Sequence, residues 1–298
     1  MTKKRKLRFP KCAVTATAAL LLVLAMCLPA GAMTVISRTP AKIGERGTDT
    51  YAEIPVQIEN GSITAYLVNE TTMVPLRAFY DCFLPGARIE FDAKTRTATV
   101  QGGGLTLQVT DGSCLLYANR RVLYADTPSV ILDDGRIYVP VRLLAKTLGL
   151  DVAWDGAARS VAVTGDAVPL EDGATYYDAD ELYWLSRIIS AESRGEPFLG
   201  QVAVGNVVQN RVRSRQFPNT VYGVIFDRKY GVQFTPTANG AIWKTPAAVS
   251  VTAAKVCLEG YTVTEEALYF VDLAIATSFW VPQNRPYLFK IGGHSFYG

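Results

Sequence analysis

The sequence predicts an α+β protein in two parts, a β-rich repeat domain followed by a mainly helical domain that closes on a small C-terminal hairpin. Three observations predict it. Residues 54–165 alternate apolar and polar positions with a period of two and contain an internal repeat. Beyond about residue 180 the apolar positions recur at helical spacing. Two short aromatic-rich runs flank Gly292-Gly293 near the end, the mark of a hairpin. A chain of 298 residues with 49% hydrophobic content is long enough for two modest cores.

Residues 1–32 read as an address label. Lys3, Lys4, Arg5, Lys6, Arg8 and Lys11 form a basic n-region, Ala13 to Leu28 an apolar run, and Ala30-Gly31-Ala32 a small-residue cleavage site. The run falls short of the ~20 apolar residues of a comfortable membrane span. A cleaved signal peptide is therefore favoured over a retained anchor, and membrane contact is transient. Bulky Met26 beside Cys27 argues against a lipoprotein site. The leader carries six of the 30 Lys+Arg and no acid, which leaves 24 against 27 Asp+Glu, about −3. No basic excess remains for a nucleic-acid partner.

Past the leader only Cys82, Cys114 and Cys257 remain. One disulfide, Cys82–Cys114, is compatible with an oxidising exterior; the alternative is that all three are buried apolar residues. Their order does not suit a zinc site. The single histidine, His294, removes more. Zinc peptidases generally need two or more histidines, and a serine triad would have to recruit His294. No metal or cofactor is expected, and carboxylate chemistry is left.

In the first domain, Met73-Val74-Pro75-Leu76-Arg77-Ala78-Phe79 recurs as Tyr138-Val139-Pro140-Val141-Arg142-Leu143-Leu144. Each proline suits the first position of a helix, where its missing N–H is not needed. Each copy then leads into a hairpin: Ile89–Asp92 with Thr97–Val100, turning at Lys94-Thr95, and Val152–Asp155 with Ser160–Val163, turning at Gly156-Ala157. This pattern resembles the copper amine oxidase N-terminal-like domain. The resemblance implies a stalk or wall-attachment module with a cell-wall ligand; a packing domain without a ligand is the alternative. The segment has no histidine, so no copper site is expected. Polar residues 166–180, with Pro169 and Gly173, read as a linker to a domain over 181–298.

Asp180 to Arg194 reads as a helix with an apolar stripe of Leu182, Leu185, Ile188 and Ile189. One more turn lands on Glu192. A carboxyl on a buried face is desolvated and its pKa rises, as a general acid near neutral pH requires. The competing reading is a buried partner for Arg194 or Arg211, since structural ion pairs also shift pKa values. Glu196, between Gly195 and Pro197, is expected to be exposed or capping. A second helix runs from about Gly200 to Arg213 on a stripe of Val204, Val207, Val208 and Val212, and Gly205 permits close approach of a neighbour. Val221 to Phe226 is a short apolar piece. Thr245-Pro246 can start a helix ending at Gly260. Tyr287 to Ile291 and His294 to Tyr297 form the hairpin.

Ala191-Glu192-Ser193-Arg194-Gly195-Glu196-Pro197, Gly200-Gln201-Val202-Ala203-Val204, Asn210-Arg211-Val212, Phe217-Pro218-Asn219-Thr220, Gln233-Phe234, Ala276-Thr277-Ser278 and Ile291-Gly292-Gly293-His294-Ser295-Phe296-Tyr297 follow in order. Together they resemble the SleB/CwlJ family of cell-wall hydrolases, the spore-cortex-lytic enzymes. Ser193 stands where the family usually has alanine, and Asp272-Leu273 where it tends to have Asn-Pro. The resemblance implies a lysozyme-like catalytic domain of an exported Gram-positive enzyme, a lytic transglycosylase acting on the peptidoglycan glycan strand, with Glu192 as its acid. Gln201, Asn210, Gln233, Thr277 and Ser278 are then candidates for hydrogen bonds to the glycan, Phe234 and Trp280 for stacking on sugars, and His294 for a substrate-binding place near the cleft. Two other readings stay open. A water-adding muramidase would recruit Glu196, Asp227 or Asp272 as a second carboxylate, and a wall-binding protein would have no turnover.

Overall fold

The computed structural model describes residues 52–59 and 61–298. The leader expected over residues 1–32 lies outside the described residues. The class is α+β, with β-strands dominating the first half and helices the second.

Strands β1 (Ala52–Ile58), β2 (Gly61–Val68) and β3 (Thr71–Pro75) form an antiparallel run. Pro75 then becomes the N-cap of helix α1 (Leu76–Phe83). Strands β4 (Arg88–Asp92), β5 (Thr97–Gly102), β6 (Leu105–Thr110), β7 (Leu115–Ala118) and β8 (Arg121–Tyr124) make a five-stranded antiparallel meander. The chain returns through β9 (Val130–Ile131), β10 (Ile137–Pro140), α2 (Val141–Thr147), β11 (Asp151–Asp155) and β12 (Ser160–Thr164). These complete a seven-stranded sheet in the order β11-β12-β1-β2-β3-β10-β9. Each repeat proline sits at the N-cap, one position before the first helical residue where the spacing put it.

The two copies of the repeat meet in register. β3 and β10 are antiparallel, with Val74 opposite Val139 and each proline opposite the first residue of the other copy's motif. Copy relates to copy by a local two-fold through that pair. α1 and α2 lie close together, joined by Tyr80 Oη and Thr147 Oγ1 at 2.7 Å in a buried pair. Phe79, Tyr80, Leu144 and Leu148 fill the core between the sheets. No bond joins Cys82 and Cys114 among the described residues: Cys82 is exposed, and Cys114 Sγ is 3.8 Å from the Asp126 carbonyl oxygen.

Residues 166–180 are held more closely than a linker. The N–H groups of Val168 and Leu170 donate to the carbonyls of Leu148 and Thr147, and Asp172 caps a single turn, α3 (Gly173–Tyr176). Helix α4 (Ala179–Ser193) follows, capped by the Asp178 carboxylate. Next come α5 (Phe198–Arg213), α6 (Val221–Phe226) and α7 (Pro236–Asn239). The chain ends with α8 (Ala248–Leu258), β13 (Tyr269–Asp272), α9 (Trp280–Asn284), β14 (Tyr287–Ile291) and β15 (His294–Tyr297). α8 starts three residues later than Thr245 would place it, and Gly260 at φ 87° ends it. β13 pairs with β15 and turns the hairpin into a three-stranded sheet.

α5 is the buried axis of the second half. Val204, Val207 and Val208 are inaccessible, and so, nearly, are Gln201, Asn206, Asn210 and Arg211. Gly205 lets α4 and α8 close on it, for a Cβ there would lie 2.6 Å from Cys257 Sγ and 2.8 Å from Ile189 Cδ1. The polar side chains of α5 serve the segment after α8. Asn206 donates to Tyr261 O at 3.2 Å and accepts from Val263 N at 2.7 Å. Asn210 donates to Thr264 O and Ala267 O, and Gln209 to Cys257 O.

The halves join at β8 and α8. Both Nε and Nη2 of Arg121 donate to the Glu259 carboxylate at 2.7 Å. Tyr177 Oη donates to it at 2.9 Å, and Lys146 Nζ lies 3.2 Å from it. Burial pushes the Glu259 carboxyl up, but the Arg121 hydrogen bonds, Lys146 and Tyr177 outweigh it and hold the group below its ordinary value.

Two tests follow from this packing. Gly205→Val overfills the α4–α5–α8 contact and lowers unfolding stability by about 1–3 kcal/mol in urea titration. Glu259→Gln leaves Arg121 buried without a counter-charge and costs about 3–5 kcal/mol. The stabilisation from Glu259 is complete above the ordinary glutamate range and is lost as pH falls through its lower folded value. Acid therefore destabilises the parent chain more steeply than the variant.

Candidate active site

Glu192 sits in the last turn of α4, after the buried Leu185, Ile188 and Ile189. Those apolar side chains dock the helix against α5, α6 and α8, so its position is fixed by the core rather than by a loop. Glu192 is half-buried at the margin of that core. Desolvation pushes its carboxyl up to about 7, and Arg211 nearby pulls the other way. No salt bridge of Glu192 exists among the described residues. A carboxyl so raised keeps its proton closer to neutral pH than an exposed glutamate does.

The other reading of Glu192, a partner for Arg194, does not match the geometry. Arg194 Nη2 donates to Thr245 O at 3.2 Å and approaches Ser190 Oγ. Arg211 acts on Glu192 through space only. Its Nε donates to Leu268 O at 2.7 Å, and its guanidinium lies about 5 Å from the rings of Phe217, Phe234 and Tyr269.

Four of the expected substrate contacts turn inward, and each for a physical reason. Gln201 is only 2% exposed and bridges Glu196 O to Ser250 Oγ. Asn210 uses its amide on the carbonyls of Thr264 and Ala267. Phe234 is a core ring packed near Phe270. His294 is buried in β15 beside Phe270, and burial lowers its pKa against the opposing charges of Glu196 and Asp272. These four expose little to a ligand. Gln233 is half-exposed and Thr277 and Ser278 are exposed; Trp280, on α9, is 52% exposed.

Glu196 is neither exposed nor a helix cap. Its Oε2 accepts from Gly293 N at 2.9 Å, which ties the exit of α4 to the β14–β15 turn. Asp227 and Asp272 each accept a backbone N–H two residues on. Asp227 also acts electrostatically on Arg211, and so belongs to the same charged group as Glu192. An aromatic cluster missed by periodicity flanks the first half of α4. Trp184 stands 4.9–5.6 Å from Tyr183, Tyr222, Phe226 and Trp243, and Tyr222 and Trp243 are more than half exposed.

Residues 195–297 match the cell wall hydrolase family, and residues 55–163 match the copper amine oxidase N-terminal domain family. The chain therefore carries a cell wall hydrolase domain behind a copper amine oxidase N-terminal-like domain. Glu192 lies three residues ahead of the matched span. A spore cortex-lytic enzyme of Bacillus cereus is 42% identical over 120 residues, 40% of this chain and 45% of that protein. One of Bacillus subtilis is 38% identical over 120 residues, 40% of this chain and 38% of that protein. The chain thus spans less than half the length of these curated relatives. A solved structure, the catalytic domain of the germination-specific lytic transglycosylase SleB from Bacillus anthracis, is 40% identical. It covers 43% of this chain and 100% of that one, with a TM-score of 0.38.

The Glu192 carboxyl should titrate with a midpoint of about 7, read by carboxyl-stretch infrared difference spectra against Glu192→Gln. Because its folded value is raised, ionisation works against the fold. Stability of the parent relative to Glu192→Gln declines as pH rises from the ordinary glutamate range through about 7.

Proposed function

We propose that this chain is an exported enzyme that cleaves the glycan strand of peptidoglycan as a lytic transglycosylase, cutting between N-acetylmuramic acid and N-acetylglucosamine. The observation that carries the reading is the desolvated carboxyl of Glu192, three residues ahead of a cell wall hydrolase domain and without a bonded counter-ion among the described residues. In the proposed reaction the Glu192 carboxyl protonates the glycosidic oxygen as the C1–O bond breaks. The resulting carboxylate takes the proton of the muramyl C6 hydroxyl, whose oxygen closes on C1 to give a 1,6-anhydro sugar. The nucleophile is part of the substrate, so proximity takes the place of a captured water.

Gln233, Thr277 and Ser278 are proposed to hydrogen-bond the glycan, and Trp280 to stack on it, since these side chains reach solvent. The similarity to spore cortex-lytic enzymes makes cortex the proposed substrate during germination, at the cell wall or spore envelope of a Gram-positive bacterium. Residues 1–32 are proposed as the cleaved leader and the copper amine oxidase N-terminal-like domain as a wall-binding module. A second reading is favoured by one observation. Asp227 shares Arg211 with Glu192, and a water-adding muramidase would use it as the second carboxylate.

Mass spectrometry of fragments released from cortex and vegetative peptidoglycan tests both readings. Anhydro-muramyl ends are expected, and Glu192→Gln should lower the rate by about 10²–10⁴-fold with folding retained. Reducing muramyl ends that take up 18O from water would replace transglycosylation by hydrolysis. Absence of any turnover by the parent chain would leave only wall binding.

A further inference from the structure

On the reading of this chain as a glycan-cleaving enzyme, we propose that the aromatic cluster at the start of α4 is a second glycan-binding surface. It is a stacking platform that holds the strand at a fixed distance from Glu192. Trp184 lies at its centre, 4.9–5.6 Å from the rings of Tyr183, Tyr222, Phe226 and Trp243. Trp243 is 60% exposed, Tyr222 53% and Tyr183 43%. The docking of α4 does not require these three, since Leu185, Ile188 and Ile189 supply its fully buried contact. Large rings gathered around one centre and left in water form a contiguous apolar patch, the mark of a binding surface.

The platform is rigid. Tyr183 and Trp184 stand on α4, and Tyr222 on α6, whose first turn is capped by Thr220. Trp243 closes a single helical turn over Ala241–Trp243. Arg187 holds that turn: its Nη1 donates to Lys244 O at 2.8 Å, and its guanidinium lies over the Tyr183 ring, 4.3 Å from the centre. Further along α4, Ser190 Oγ accepts from Ala247 N at 3.0 Å and fixes the chain that follows Trp243. Rings pre-set in this way have little conformational freedom left to lose on binding.

The occupant follows from composition and place. Trp and Tyr join a flat apolar face to a polar edge. A pyranose offers the matching pair, a C–H face to stack on and hydroxyls around its rim. Beyond residue 32 the chain has 24 Lys+Arg against 27 Asp+Glu, no excess for a phosphate backbone. Trp184 and Glu192 share α4, which sets them about 12 Å apart along its axis and about 80° apart around it. The helix therefore fixes the spacing between platform and acid at a few sugar units. A strand stacked on the rings is presented to Glu192 further along, and a short fragment lacks the reach to occupy both.

The test uses the full chain carrying Glu192→Gln, which prevents turnover, with 5-fluorotryptophan at its four tryptophans, Trp154, Trp184, Trp243 and Trp280. Each 19F signal reports one region, and single Trp→Phe changes assign it. Peptide-free glycan strands of peptidoglycan should shift the Trp243 and Trp184 signals. Disaccharide fragments at the same sugar concentration should shift them far less. Tyr222→Ala, a change at an exposed ring, should raise the strand concentration needed for the Trp243 shift roughly tenfold, and Tyr222→Phe should restore it. A Trp243 signal unmoved by strands that shift Trp280 or Trp154 overturns the platform and leaves the glycan reading standing. If strands move none of the four signals, both are lost. A Trp243 shift that grows with protein concentration in the absence of glycan marks a self-association surface and also overturns the proposal.

Discussion

The second half of the molecule depends on one constraint: residues 259–268 pass against a buried helix without regular structure, and their backbone groups must find partners. α5 provides them. Asn206, Asn210 and Arg211 reach out to the carbonyls of Tyr261, Thr264, Ala267 and Leu268, and Gln209 to that of Cys257 in the last turn of α8. The segment so fixed begins at Glu259, which clamps the first domain, and ends at β13, whose Tyr269 stands by the Arg211 guanidinium. Domain docking and the surroundings of the acid thus hang on the same helix.

Two glutamates, one buried and one half-buried, show how far environment decides the ionisation of one residue type. Glu259 accepts two charge-assisted bonds from Arg121 and stays ionised. Glu192 has an arginine in range but no bond to it among the described residues, so desolvation prevails and pushes its carboxyl up. The difference lies in whether a cation is hydrogen-bonded to the carboxyl, and it moves the two groups in opposite directions.

Much of this was legible in the sequence. The stripe of Leu185, Ile188 and Ile189 placed Glu192 on a buried flank, and the V-P-x-R repeat announced two strand–helix–hairpin units. The Gly292-Gly293 pair marked the last turn. What escaped has a common cause. On α5, Gln201 and Asn210 read as glycan contacts because a polar amide on a helix normally faces water or ligand, whereas Asn210 bonds carbonyls of a distant segment and Gln201 joins Glu196 O to Ser250 Oγ. Glu259 and Arg121 are 138 positions apart, a pairing that no local pattern encodes. β13 is four residues long and half-buried, too short for alternation to register.

The pairing of β1 with β12 carries a mechanical consequence. These strands open and close the first domain, and they run parallel, with Val56 beside Val161 and Gln57 beside Ala162. Tension between the two ends of that domain draws β1 and β12 in opposite directions along their common axis. Their ladder is loaded in shear, every bond sharing the force together, where an antiparallel pairing of the same ends would peel open one bond at a time. Force transmitted along the chain meets the first domain in its stiffest direction.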